Sequence, residues 1–422
     1  MKLKVNGNLR KEYFGGILYN KYGKLIYLNK KEYQICENVI MKRVDKLQFN
    51  LLKNFIHKGL LTIDNKQENY LFIKNNMENR KILSAPISAH FYPNYICNQK
   101  CFFCYNLEKK HEINNQVLNN TKKIIDILYE NGVIIFNVLG GEPLLNFNYL
   151  IDTLNYASEK MFCSFASNGT ANGGVDEEKA KILSNIKNID IRISMHGYNS
   201  ETHDHIVGIK GAFDTAINSI KNLVKYGVKC RMSCVPTKIN YEYIDKMVEL
   251  AYKLGMTGFH LLPSHMTENF DINHKMWLSY EKQLEIIEKI KLIKFEKPFE
   301  ISYLNWYENV KNFVFKYDGQ SLCVAGKEII EIDPLGDVYP CNMVLGIKEF
   351  MCGNILNEKF SDIWNSPKFD IIRHRIPEKI INSSCKKCKK LNKCIGGCPM
   401  SNYLISNDIN YGDVLCPLCK IE

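Results

Sequence analysis

The stretch Cys97-Asn-Gln-Lys-Cys101-Phe-Phe103-Cys104-Tyr105 carries three cysteines spaced C-x3-C-x2-C. It directly follows an apolar run at 87–92 that reads as a strand. Three thiolates on one short loop can grip three irons of a cubane cluster, where four ligands are usual. One iron is then left open for a substrate or cofactor. A zinc site short of one ligand is the alternative, but this is not a usual zinc spacing.

The chain has 422 residues and sixteen cysteines, with 45% hydrophobic and 24% charged residues. No stretch of about 18 apolar residues occurs, so no transmembrane helix and no membrane partner are expected. The N-terminus, Met1-Lys-Leu-Lys-Val-Asn-Gly-Asn8, lacks a signal-peptide core, which points to the cytoplasm. A reducing compartment does not favour eight disulfides, and clustered cysteines there bind metal more often. Nine cysteines lie after residue 320, and Cys36, Cys163, Cys230 and Cys234 sit alone in apolar patterns as core fillers.

Downstream and upstream of the cysteine loop, strand and helix patterns alternate from about 86 to 290. Strands are expected at 87–92, 133–139, 162–167, 189–195, 228–235 and 257–262. Helix-length segments separate them, near 117–131, 147–160, 176–186, 212–226 and 241–254, with another at 276–291. Six βα units in series predict an α/β fold with a parallel sheet, open or closed into a partial (β/α)6 TIM barrel, with ligands at the C-terminal strand ends. The segment 292–320 has no clear placement. Beyond Cys323 periodicity fades, and a Cys-rich part folded around metal is expected.

Residues 1–76 read as a separate winged-helix-like module. Two strands, 13–19 and 24–28, flank a turn at 20–23; helical patterns follow at 30–42 and 45–57, the second ending near Gly59. A second hairpin is expected from 60–63 and 70–73 around the polar turn 64–69. The expected boundaries are therefore 1–76, 77–320 and 321–422, with a polar linker at 75–84.

The cysteine loop resembles the hallmark C-x3-C-x-aromatic-C of the radical S-adenosylmethionine (SAM) superfamily. That resemblance implies a 4Fe–4S cluster on Cys97, Cys101 and Cys104, with the methionine moiety of SAM on the open iron. Phe103, followed by Cys104-Tyr105, matches the aromatic position near the adenine. Gly140-Gly141-Glu142-Pro143 resembles the motif that meets the methionine amino group, its glycines permitting close backbone approach. Asn168, in Ser167-Asn-Gly-Thr170, matches a ribose position, and Ser194 ends the fourth strand in Ile193-Ser-Met-His196-Gly197. Many relatives carry Asp at the position of His196, read here as a structural histidine, and Arg at that of Val207.

The tail, Cys323-x12-Gly336-x4-Cys341, then Cys385-x2-Cys388-x5-Cys394-x3-Cys398 and Cys416, resembles a SPASM domain. The resemblance implies two auxiliary 4Fe–4S clusters, three in all with the first. Cys323, Cys341 and Cys398 would hold one, and Cys385, Cys388, Cys394 and Cys416 the other. Cys352 and Cys419 are the spare candidates for a fourth ligand of the former. The absence of cysteine from 324–335 argues against a sulfatase maturase.

A hairpin-plus-winged-helix module ahead of such a core resembles a RiPP recognition element, which binds a precursor leader by β-augmentation. The alternatives are a module that merely packs on the core, or DNA binding. The helix at 45–57 offers only Lys46, Lys53 and His57 for DNA. The net charge of +11, with a cluster at Lys386, Lys387, Lys389, Lys390 and Lys393, reads as a solvated surface rather than a nucleic-acid site, with a groove for an acidic peptide the other option. The combined resemblance implies a radical SAM oxidoreductase that reductively cleaves SAM to a 5′-deoxyadenosyl radical and matures a ribosomal precursor peptide. Cysteine thioether formation is the favoured product, with flavodoxin or ferredoxin as reductant. A carbon–carbon crosslink and a small-molecule substrate are the rival readings. The sequence assigns no general base.

Overall fold

The computed structural model describes residues 2–20, 24–41, 54–64, 72–73, 81–106, 115–263, 276–303, 322–413 and 416. The strands are β1 Lys2–Val5, β2 Gly7–Glu12, β3 Gly15–Asn20, β4 Leu25–Asn29, β5 Leu61–Asp64, β6 Phe72–Ile73, β7 Ser88–Phe91, β8 Ile135–Val138, β9 Phe162–Ser167, β10 Ile189–Ser194, β11 Cys230–Cys234, β12 Gly258–Leu261, β13 Glu300–Tyr303, β14 Ile329–Ile332, β15 Asp337–Tyr339 and β16 Gly353–Asn354.

Six of these, β7 to β12, fall where the apolar runs predicted strands. Their inward and outward residues alternate with the strand period. In β10, Ile191 and Ile193 are fully buried towards the helices, while Asp190, Arg192 and Ser194 occupy the alternate positions. The helix Ala212–Lys225 buries Ala212, Ala216, Ser219, Ile220 and Leu223, one face of a 3.6-residue repeat. Cys163, Cys230 and Cys234 lie in this core, and Cys36 lies in the core of the N-terminal module, as expected of core fillers.

The sheet runs β13-β12-β11-β10-β9-β8-β7-β14-β15-β16, parallel from β13 to β14. Six strands were expected from the repeating pattern; two more join them in parallel. β13 comes from the segment without a clear sequence placement, of which 304–320 lie outside the described residues. β14 comes from the Cys-rich part and pairs Ile329 to Ile332 with Ser88 to Phe91. The Cys-rich part thus shares the barrel's sheet. No described helix is long and apolar enough to cross a membrane.

The N-terminal module contains a four-stranded sheet, β4-β3-β2-β6, and a separate β1-β5 pair. The first expected hairpin is present as β3 and β4. The second is not: β5 pairs with β1 antiparallel, and β6 with β2 in parallel. The two strands nearest in sequence were taken by edges that β1 and β2 provide. The helix Lys30–Ile40 starts at a capping box, Asn29 Oδ1 accepting from Glu32 N–H at 3.0 Å and Glu32 Oε2 from Asn29 N–H at 3.1 Å. Of the second expected helix, 54–57 are helical; 42–53 lie outside the described residues, as do most of the expected turn 64–69 and linker.

The module's sheet covers the N-terminal ends of the barrel strands. Ile17 packs with Leu83, Ile87 and Ile134. The Tyr19 ring lies 4.1 Å from that of Phe162, the first residue of β9. Arg10, 1% exposed, donates from Nη1 to Pro86 O at 2.9 Å and Gly132 O at 2.8 Å. Its Nε lies 2.7 Å from Glu12 Oε1, and Glu12 accepts from Ser84 N–H and Oγ–H, both at 2.9 Å. Just inside this floor, Arg231 of β11 is neutralised by Asp190 and, at 3.3 Å, by Glu300.

Candidate functional site

The three-cysteine loop leaves the opposite, C-terminal end of β7. Its shape is fixed by short local bonds: Asn94 Oδ1 accepts from Ile96 N–H at 2.8 Å, and Cys101 O from Cys104 N–H at 3.0 Å. Lys100 N–H donates to Val207 O at 3.0 Å. Val207, fully buried, packs among Cys101, Phe102 and Phe103, so an apolar contact stands where many relatives have arginine.

Gly140 and Gly141 do permit a close approach, and it is to the chain itself. A Cβ on Gly141 would lie 1.8 Å from Ile96 O, and one on Gly140 2.4 Å from Asn94 O. Gly141 N–H donates to Asn94 O at 3.0 Å and Glu142 N–H to Ile96 O at 2.7 Å, laying this loop on the residues just before Cys97. The Glu142 carboxylate, 1% exposed, accepts from Leu144 N–H, Ser167 Oγ–H and Asn168 N–H at 2.8, 2.7 and 2.7 Å. Burial pushes it up to about 7 against those three bonds. Pro143 is buried at the start of the short helix Pro143–Asn146.

Asn168 also serves the cysteine loop. Its Nδ2 donates to Asn98 Oδ1 at 2.8 Å and to Cys97 Sγ at 3.6 Å, while its Oδ1 accepts from Thr170 N–H and Oγ1–H. Ser194 is half-buried at the end of β10. Phe103 lies edge-on to the His196 ring, centroids 4.8 Å apart. Tyr105, read as a cofactor neighbour, hydrogen-bonds the side chain of Asn342 and lies 3.4 Å from Tyr92 Oη, which ties the loop to the Cys-rich part.

His196 is held as a structural histidine would be. Its Nδ1 accepts from Val235 N–H at 3.3 Å, and its own N–H donates to His203 Nδ1 at 3.0 Å. Burial pushes His196 down to about 3 and His203 to about 4. A folded-state value below the ordinary 6.5 means that protonation favours the unfolded chain. The stability these residues contribute is whole above about pH 6.5 and falls as the pH drops towards 4. Thermal melts of the apoprotein between pH 7 and 4.5 should show a steeper fall for the parent than for H203N. Parallel curves would count against the pair as a source of acid lability.

The Cys104 thiolate opposes those of Cys97 and Cys101, and burial pushes Cys97 up to about 11 and Cys101 higher. A bound metal would supply the positive charge that stabilises buried thiolates of this kind. No three His, Cys, Asp or Glu side chains among the described residues close on a single ion. The all-thiol donor set fits a multi-iron cluster.

Cys323, Cys341 and Cys398 form a second group: on top of burial, Cys398 and Cys323 raise the Cys341 thiol, and Cys323 raises that of Cys398. Lys327 and Arg375 are cationic neighbours of Cys323. A pocket lined by Cys323, Lys327, Arg375, Lys393 and Cys394 separates this group from the cysteines of the following run. There Cys388 N–H donates to Cys385 O at 2.9 Å, and a Cβ on Gly412 would meet Cys385 Sγ at 3.2 Å. Asp413 binds both sets: its Oδ2 accepts from Cys398 N–H at 3.2 Å, and its carbonyl from Cys416 N–H at 3.1 Å.

Cys352 is not brought to either group. It is 6% exposed in the apolar core beside Ile355, Phe360 and Trp364, and its Sγ–H points to Phe350 O at 3.4 Å. Cys419 lies outside the described residues. The sequence reading missed Tyr92, Glu331 and Asn342, which link the first two cysteine groups. Their signal, one acidic residue in Ile329-Ile-Glu-Ile332, was visible only as a strand alternation within a part read as irregular.

Residues 91–251 match the family model described as the radical SAM superfamily, and 323–389 that of the SPASM iron–sulfur cluster-binding domain. The chain carries a radical SAM domain and a SPASM domain. It is 27% identical to mycofactocin maturase MftC of Mycolicibacterium smegmatis over 344 residues, 79% of this chain and 83% of that protein. It is 25% identical to the antilisterial bacteriocin subtilosin biosynthesis protein AlbA of Bacillus subtilis over 370 residues, 84% and 74% of the two. The structure of Streptococcus suis SuiB bound to precursor peptide SuiA superposes with a TM-score of 0.77 at 22% identity, covering 98% of this chain and 100% of that one. The protein is accordingly a radical SAM enzyme of 4Fe–4S clusters and SAM.

Proposed function

We propose that this enzyme matures a ribosomally made precursor peptide by forming cysteine thioether bonds. In this reading Cys97, Cys101 and Cys104 hold the SAM-cleaving cluster. Cys323, Cys341 and Cys398 hold the first auxiliary cluster, and Cys385, Cys388, Cys394 and Cys416 the second. Residues 1–76 bind the leader, and 321–422 form the auxiliary domain. The names of MftC and AlbA, and the peptide bound to SuiB, support a peptide substrate.

The cofactors supply a one-electron cleavage that yields a radical able to take hydrogen from an unactivated carbon. The chain supplies position and shelter. Cys97, Cys101 and Cys104 fix three corners of the site, and Gly141, Glu142 and Asn168 hold that loop rigid. The N-terminal module closes the barrel floor against water. The observation that carries the thioether product is the meeting of Cys323, Cys341 and Cys398 while Cys352 turns into the core. Among the described residues the site has three thiolates, which leaves room for a substrate thiolate that metal binding would deprotonate and fix in place. The outer edge of β4 bears no strand among the described residues and is the place for a leader to add as a strand.

Co-expression with a short cysteine-bearing peptide encoded beside the gene tests this. The peptide should lose two hydrogen atoms per crosslink and become resistant to thiol alkylation. Loss of the same hydrogens with free thiols retained would assign a carbon–carbon bond. An unaltered peptide beside active SAM cleavage would move the substrate outside that peptide.

A further inference from the structure

We propose that Glu331 is a positioning residue of the first auxiliary site: its buried carboxylate holds that cluster's reduction potential down and fixes Tyr92 against the three-cysteine loop. Glu331 stands opposite His90 in the β14–β7 pairing, between Ile330 and Ile332, which are fully buried. It is itself 4% exposed. Its Oε2 accepts from Tyr92 Oη–H at 2.9 Å, and His90 Nδ1 lies 3.1 Å from Oε1 and 3.2 Å from Oε2.

From there two short paths lead to the cysteines. Tyr92 Oη lies 3.4 Å from Tyr105 Oη, and Tyr105 follows Cys104. In the β14–β15 ladder Glu331 stands opposite Tyr339, two residues before Cys341, and its charge raises the Cys341 thiol on top of burial. Burying a carboxylate is costly even with its bonds made, and a neutral acceptor would satisfy Tyr92 equally well. The negative charge faces His90 on one side and acts on the cysteine group on the other. Placed beside a cluster in a seam where charges are weakly screened, it opposes the addition of an electron. The reduced cluster becomes the stronger one-electron donor.

The inference rests on the assignment of Cys323, Cys341 and Cys398 to an auxiliary cluster. It is tested by redox titration, followed by electron paramagnetic resonance, in the full-length C97A/C101A/C104A protein. Lack of any auxiliary signal in that parent would end the assignment itself. With both auxiliary signals present, E331Q should move one midpoint to more positive potential and leave the other in place. E331D, which keeps the charge, should titrate near the parent. An E331Q midpoint equal to the parent's, or an equal shift in E331D, overturns the proposal. If E331Q does not load the cluster, H90K sets a fixed positive charge against the carboxylate and should give the positive shift alone. An unmoved midpoint there also overturns it.

Discussion

Replacing Cys97, Cys101 and Cys104 together by alanine should abolish release of 5′-deoxyadenosine from SAM under dithionite while most of the iron remains. The three thiols sit on one loop, and the other two groups' cysteines are absent from the influences on Cys97 and Cys101. Their removal leaves no thiol on that loop to hold a cluster. The loop's own shape should survive, because its bonds to Val207, Thr170 and the Gly140–Glu142 turn are made by backbone and amide groups. The remaining sites lie in the C-terminal part and keep their ligands. Iron should fall from about twelve to about eight per chain, taking four per cluster. Retained cleavage would place the chemistry at one of the other cysteine groups. Loss of all iron would mean that the three sites do not load independently.

Arg10→Ala should unfold the seam between the N-terminal module and the barrel. Arg10 and Glu12 are side by side with side chains about fully enclosed, and burial already raises Glu12 despite its partner. Removing the arginine strands a carboxylate and frees two carbonyls, Pro86 O and Gly132 O, from a common donor. Breaking such a pair by removing one member costs about 3–5 kcal/mol. Urea unfolding of the apoprotein should show a loss of that size. The double change R10M/E12L should recover much of it, since no charge is then left buried. A loss under about 1 kcal/mol for R10A would assign the pair to a solvated surface. The same contact explains why deletion of the module should do more than remove the proposed leader site: it would uncover Leu83, Ile87, Ile134 and Phe162.

The parts of this molecule legible in the sequence are those whose physics is local. The strands β7 to β12 announced themselves as apolar runs between helical periods, and the cysteines by their spacing. β2 did not, because Gly-Asn-Leu-Arg-Lys-Glu has one apolar residue and turns its Arg10 and Glu12 inward as an ion pair. The false hairpin at 60–73 arose from pairing neighbours in sequence, when the partners were β1 and β2. At the site, Asn168 and Glu142 were read as facing the cofactor; the structure gives each several bonds to the protein, which only the fold could supply. Glu331 was beyond reach for the same reason, since His90 and Glu331 are 241 residues apart.

The seat of the module at the barrel floor has a consequence for reach. Tyr19 touches the first residue of β9, while the last, Ser167, meets Glu142 at the mouth. The six residues of β9 span roughly 20 Å at 3.3 Å per residue. On the proposed reading of the module as the leader's clamp, a chain held at the floor would spend at least about six extended residues before any of it arrived at the mouth. That length would be a ruler: residues nearer the clamp would be shielded from the radical, and those beyond it presented. Slack past the ruler lets one clamped chain offer several residues in turn at high local concentration, without letting go between them.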